Sequence, residues 1–109
     1  MSVIQFVKFS SPLSEDEVLA VMKRRAPEFR QVPGLTQKFY GREVDTGDTC
    51  GIYLFDSQES LHAFRQTELA RTIPSAYQVE SPRIEVFEVL FPLHPDVRLA
   101  AAPSAALES

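Results

Sequence analysis

Two strand-like runs, residues 35–44 and 49–55, flank the turn signal Asp45-Thr46-Gly47-Asp48, and the hairpin they form carries large apolar side chains on both faces. With Val44 opposite Thr49, the pairs Arg42 with Gly51, Tyr40 with Tyr53 and Lys38 with Phe55 follow, and opposed residues share a face. One face then holds Lys38, Tyr40, Tyr53 and Phe55, and the other holds Phe39, Ile52 and Leu54. A slip of one residue would exchange the two sets. A chain with room for two helices covers only one side of such a sheet, so the other side needs a partner. The simplest partner is a second copy related by a two-fold axis, which predicts a homodimer.

The rest of the chain supplies the two helices and two more strands. Residues 3–9 are apolar and β-branched and stop at Ser10-Ser11-Pro12. Ser14-Glu15-Asp16-Glu17 is a capping box, and Val18, Met22, Ala26 and Phe29 recur behind it at helical spacing. Pro27 costs a helix interior about 3 kcal/mol, so a kink or a fresh turn is expected near Ala26. Val32-Pro33-Gly34 ends that segment; Asp56-Ser57-Gln58-Glu59 caps a second helix with Leu61 and Phe64 on its apolar side, and Pro74 stops it. After Ser81-Pro82, residues 83–91 read as a fourth strand. The order is βαββαβ, an α+β ferredoxin-like domain over residues 1–91, with a four-stranded antiparallel sheet and two helices on one face. Residues 92–109 form an Ala/Pro-rich tail whose Leu93, Val97 and Leu99 are available to a partner subunit.

Charge and motif content narrow the function. A net charge of −4 gives no overall field toward nucleic acid or anionic lipid. Lys23-Arg24-Arg25 reads as a solvated run offset by Glu15, Asp16 and Glu28. There is no apolar run long enough to span a bilayer and no signal-peptide pattern, and the only cysteine, Cys50, suits a reducing compartment, so a cytoplasmic protein is expected. His62, His94 and Cys50 have no zinc spacing, and the Glu59-x-x-His62 pair occurs once where a di-iron bundle needs two copies. With no Gly-rich phosphate loop either, no metal or organic cofactor is expected.

The face with Lys38, Tyr40, Tyr53 and Phe55 goes to the helix side, because aromatic walls with a few polar tips describe a ligand pocket better than a dry interface. The segments Val32-Pro33-Gly34-Leu35…Lys38, Gly51-Ile52-Tyr53-Leu54-Phe55 and Ser81-Pro82-Arg83-Ile84…Phe87, together with the element order, resemble the YdhR-like monooxygenases of the dimeric α+β barrel superfamily. The resemblance covers roughly residues 3–91. It implies a dimeric barrel and, among the activities of that superfamily, a cofactor-free oxygenation of a small aromatic, phenolic or polyketide-like substrate. In the better understood oxygenases of the superfamily the third strand carries an Asn and a Trp facing the pocket, where this chain has Gly51 and Phe55. Those catalytic groups do not carry over. The haem-degrading relatives use a His beyond the second helix, and residues 71–75 contain none.

An oxygenase of this kind needs a base and a means of holding the substrate anion. Imidazole is the side chain suited to proton transfer near neutral pH, and His62 follows Leu61, so it is either a base at the pocket mouth or a solvated helix residue. Lys38 is either a charge that holds the anion or a strand-edge lysine reaching for water. Tyr40 and Tyr53 can donate phenolic hydrogen bonds to a substrate oxygen, which makes Tyr53 a second catalytic candidate. A cyclase or a non-catalytic binding domain would use the same pocket. An RNA-binding module shares the element order, but no basic residue precedes Gly51 and the net charge opposes it.

Overall fold

The structure is a computed structural model that describes residues 1–95. Its elements are β1 (Val3–Phe9), α1 (Glu15–Phe29), β2 (Leu35–Arg42), β3 (Thr49–Phe55), α2 (Gln58–Arg65), two four-residue turns of helix, α3 (Glu68–Arg71) and α4 (Ile73–Ala76), and β4 (Arg83–Glu88). The four strands form one antiparallel sheet in the order β2-β3-β1-β4. This is the ferredoxin-like α+β fold. Alternation along the strands decides which face is covered: Val3, Gln5, Val7 and Phe9 of β1 and Thr49, Gly51, Tyr53 and Phe55 of β3 are buried, while the residues that alternate with them are half-exposed. Val18, Val21 and Phe29 of α1 and Leu61 and Phe64 of α2 complete the core above that face.

Local signals place the helices. The Ser14 side chain accepts from Glu17 N at 3.2 Å, and the Glu17 carboxylate accepts from Ser14 N at 2.9 Å, closing the capping box. α1 then runs through Pro27 without a break, contrary to the expected kink or fresh turn. Pro27 stands in the last turn, so the hydrogen bond it cannot give to the Lys23 carbonyl is the only one lost, and only two helical residues follow it. Pro74 does not simply stop the second helix either. α2 ends earlier, at Arg65, and Pro74 lies in the first turn of α4, where a proline's missing N–H is tolerated. Buried Gln5 is answered by Arg65 of α2, whose Nε and Nη2 both donate to its Oε1 at 3.0 and 2.9 Å.

The hairpin differs from its expected pairing by two residues: Arg42 opposes Thr49, Tyr40 opposes Gly51 and Lys38 opposes Tyr53. The turn is longer because Glu43 leaves the ladder to pair with Lys8 of β1, and Glu43 N donates to Asp48 O at 2.7 Å across it. A two-residue shift preserves parity, so Lys38, Tyr40 and Tyr53 still share the helix-covered face. A bulge between Leu35 and Gln37 restores Leu35 to a position opposite Phe55. β4 ends at Glu88 rather than Phe91.

The other face of the sheet carries Ile4, Phe6, Phe39, Ile52, Leu54 and Phe87, and no described element covers it. Phe39 and Phe87 are 48% and 51% exposed, and Leu90, Phe91 and Leu93 stand in solvent beyond the sheet. Val97 and Leu99 of the tail lie outside the described residues.

Candidate functional site

The covered face is densest in chemistry at its β2 end, and Gly51 makes the room. A Cβ there would lie 3.1 Å from Tyr53 Cε1 and 3.6 Å from Lys38 Cε. The space is used by the Lys38 side chain, whose Nζ lies 3.4 Å from the centroid of Phe29, 4.3 Å from that of Tyr40 and 4.5 Å from that of Tyr53. Among the described residues no carboxylate pairs with it. Burial, with the Arg25 guanidinium nearby, pulls its pKa from 10.5 down to about 7. The ring faces attract the ammonium and act against that pull.

Arg25 belongs to the site as well as to the fold. It donates to Leu69 O at 2.7 Å, Thr72 O at 3.1 Å and Thr72 Oγ1 at 3.0 Å, which fastens α1 to the end of α3. It is therefore not part of a solvated basic run, unlike exposed Lys23 and Arg24. Its place between Met22 and Phe29 at helical spacing is the signal that could have shown this.

Three phenols complete the wall. Tyr53 and Tyr77 are buried and Tyr40 is partly exposed, and no hydrogen bond is made by any of the three hydroxyls among the described residues. Burial raises the pKa of Tyr53 far above the phenol range, that of Tyr77 to about 12, and that of Tyr40 in the same direction. All three are neutral donors at ordinary pH. Tyr77 packs on Phe9 with ring centroids 4.8 Å apart; it follows α4 in an irregular stretch and has no periodic signal in the sequence.

These side chains border two neighbouring spaces. Inside, between Val7, Phe9, Met22, Ile73 and Tyr77, is a cavity of about 20 Å³, room for one molecule the size of water. Outside, between the end of α1 and β2, a groove of about 380 Å³ is lined by Ala26, Arg30, Thr36 and Gln37. Phe29, Lys38 and Tyr40 line both and form the partition. A separate cleft of about 520 Å³ lies between α2–α4 and the β1–β4 edge, with Gln5, Phe64, Arg65 and Ile84 on its walls.

Of the residues singled out in the sequence, the structure brings Lys38, Tyr40 and Tyr53 together. Phe55 does not join them. It has no exposed surface, lies nearly parallel to Tyr53 with ring centroids 6.3 Å apart, and is closed over by Phe64 at 5.5 Å. His62 also stands apart: Leu61 and Phe64 take the inward positions of α2, which leaves His62 exposed beside Gln58, Glu59 and Val86. Among the described residues no three His, Cys, Asp or Glu side chains converge as a metal site, and no helix is long and apolar enough to cross a membrane.

Comparison with known proteins follows the same lines. The family model described as "Putative mono-oxygenase ydhR" matches residues 3–95. No curated protein matches the sequence. Among solved structures, SnoaB of Streptomyces nogalater, described as a cofactor-independent oxygenase, superposes with a TM-score of 0.71 at 17% identity, covering 84% of this chain and 96% of its own. Rv0793 of Mycobacterium tuberculosis gives 0.70 at 13% identity, covering 86% of this chain and 100% of its own. A dimeric ferredoxin-like protein of unknown function from Thermobifida fusca gives 0.67 at 13% identity, covering 82% and 92%. At these identities the likeness concerns the fold.

Proposed function

This protein belongs to the ydhR family of mono-oxygenases, and from that premise we propose that it oxygenates a small phenolic or polyketide-like aromatic without a cofactor of its own. The substrate ring lies in the groove between α1 and β2. Its ionisable oxygen meets the Lys38 amine and the Tyr40 hydroxyl. Tyr53, deeper in, donates to an oxygen that reaches past the partition. The observation that carries this reading is the Lys38 side chain itself, held among three aromatic rings with no carboxylate partner among the described residues, at the point where groove and cavity meet.

The chemistry balances with dioxygen alone. An aromatic bearing an activated CH₂, once deprotonated, is electron-rich enough to pass electrons to O₂, and R₂CH₂ + O₂ → R₂C=O + H₂O needs no further reductant. The small cavity behind the partition, about 20 Å³, is of the size to hold one small molecule such as O₂ beside the substrate. The solved fold neighbour described as a cofactor-independent oxygenase supports this class of reaction.

The uncovered sheet face supports a homodimer, with a second copy burying Phe6, Phe39, Ile52 and Leu54. The dimeric description of the Thermobifida fusca neighbour agrees with it. The test of the activity is oxygen consumption by the purified protein with a panel of hydroxyanthrones and naphthoquinols. We expect enzyme-dependent uptake and a product that has gained one oxygen and lost two hydrogens. Tight binding of the same compounds without oxygen uptake would instead mark a binding protein or a cyclase.

A further inference from the structure

We infer that Lys38 is the base that ionises the substrate, its neutral amine taking the proton while the faces of Phe29, Tyr40 and Tyr53 receive the ammonium that forms. The inference rests on the oxygenase reading above and deepens it by naming the group that starts the reaction.

The geometry sets Lys38 apart from every other candidate. A base must reach the substrate and must be free of its proton when it does so. Lys38 is on the partition between groove and cavity, whereas His62 lines a different depression on the far side of α2. The titratable and charged groups around the amine are Arg25 and Arg30 of α1, Tyr40 of its own strand, Cys50 and Tyr53 of β3, and Tyr77 after α4. Arg25 repels an ammonium, the phenols remain neutral, and among the described residues no acid pairs with the amine to fix the charge. The pKa of about 7 that burial and Arg25 impose leaves about half of the amine unprotonated at neutral pH. The rings serve the opposite state. Nζ stands close to three π faces, so the protonated product of the transfer is stabilised without a carboxylate that would hold it charged beforehand.

The proton returns within one turnover. R₂CH₂ gives R₂CH⁻ and the lysine ammonium; the carbanion, delocalised through its phenolic ring, adds O₂ to form R₂CHOO⁻. The ammonium protonates that peroxide, which loses water to give R₂C=O, and Lys38 is neutral again. Atoms, electrons and protons balance with O₂ as the only oxidant.

Lys38→Arg and Lys38→Met separate a base from a fixed charge, because arginine keeps a cation in place and cannot accept a proton. With a hydroxyanthrone as substrate, wild-type kcat/KM should fall on the acid side with a midpoint at about 7. Both variants should lose roughly 10²-fold or more at neutral pH. A small primary amine in the buffer should restore part of the turnover of Lys38→Ala. Lys38→Arg as active as the wild type overturns the inference, since charge alone would then suffice. Should the wild type oxidise no member of the panel, the oxygenase reading fails and the inference is judged by binding. Bound 2-naphthol should then show the naphtholate band with the wild type at about pH 8, below the usual phenol range near 10, and the neutral band with Lys38→Met. Neutral naphthol on the wild type, or none bound by the folded protein, overturns it.

Discussion

Lys38 is protonated at neutral pH in the unfolded chain and only in part in the folded one, so it links stability to pH as well as serving the site. An unfolded lysine keeps its proton up to about 10.4, and the folded one releases it near 7. Between those values the unfolded chain binds the more protons, so stability rises with pH across the window; the full cost is present below it. Lys38→Met removes that cost. Urea titrations should find the variant more stable than the wild type by on the order of 1–4 kcal/mol at about pH 6, with the difference shrinking toward about pH 10.5. A variant no more stable at the lower pH would count against the burial of this charge. The grouping of Lys38 with Tyr40 and Tyr53 was legible in the sequence because strand alternation puts the first two on one face and an even hairpin register adds the third. The cage was not, because Phe29 arrives from a helix and nothing in the chain's order tells where its last turn lands. Phe55 has the right parity but sits beneath Phe64, and parity is silent on what covers a side chain.

At the level of elements, the hairpin shows how a reading can miss its register and keep its consequence. The turn takes in Glu43 and Val44, which moves the pairing by two residues, and an even shift leaves each side chain on the face expected for it. An odd shift would have parted Lys38 from Tyr53, one on the covered face and the other on the open one. Depth within the face depends on β3, where even a Cβ at Gly51 would stand 3.1 Å from Tyr53 Cε1, so a larger side chain there crowds the space that Lys38 and Tyr53 share. Gly51→Val adds a branched side chain into that space. It should displace the amine and lower affinity for a naphthol or anthrone probe at least roughly tenfold by titration, while the β-branched residue suits the strand and the dimer persists. Unchanged affinity would move the ligand site away from this end of the sheet. For His62 the sequence left two placements open at this same level: the capping signal located the start of α2, but one helical position decides whether a side chain turns toward the cavity or away from it, and here His62 is exposed.

For the molecule as a whole, the most informative feature of the sequence was that one sheet had two apolar faces and helices enough for only one. The structure leaves Ile4, Phe6, Phe39, Ile52, Leu54 and Phe87 uncovered among the described residues, in a patch that crosses all four strands. Ile52 lies near its middle, since β3 is an inner strand. Ile52→Lys should convert the species seen by light scattering from two chains to one, because a charge there would have to be buried without a partner. A dimer of unchanged affinity would place the interface elsewhere. In the proposed homodimer the hydrophobic layer is finished by a second copy, which makes part of the folding free energy a matter of mass action. The melting temperature should then climb with chain concentration, and dilution alone should act as a mild denaturant.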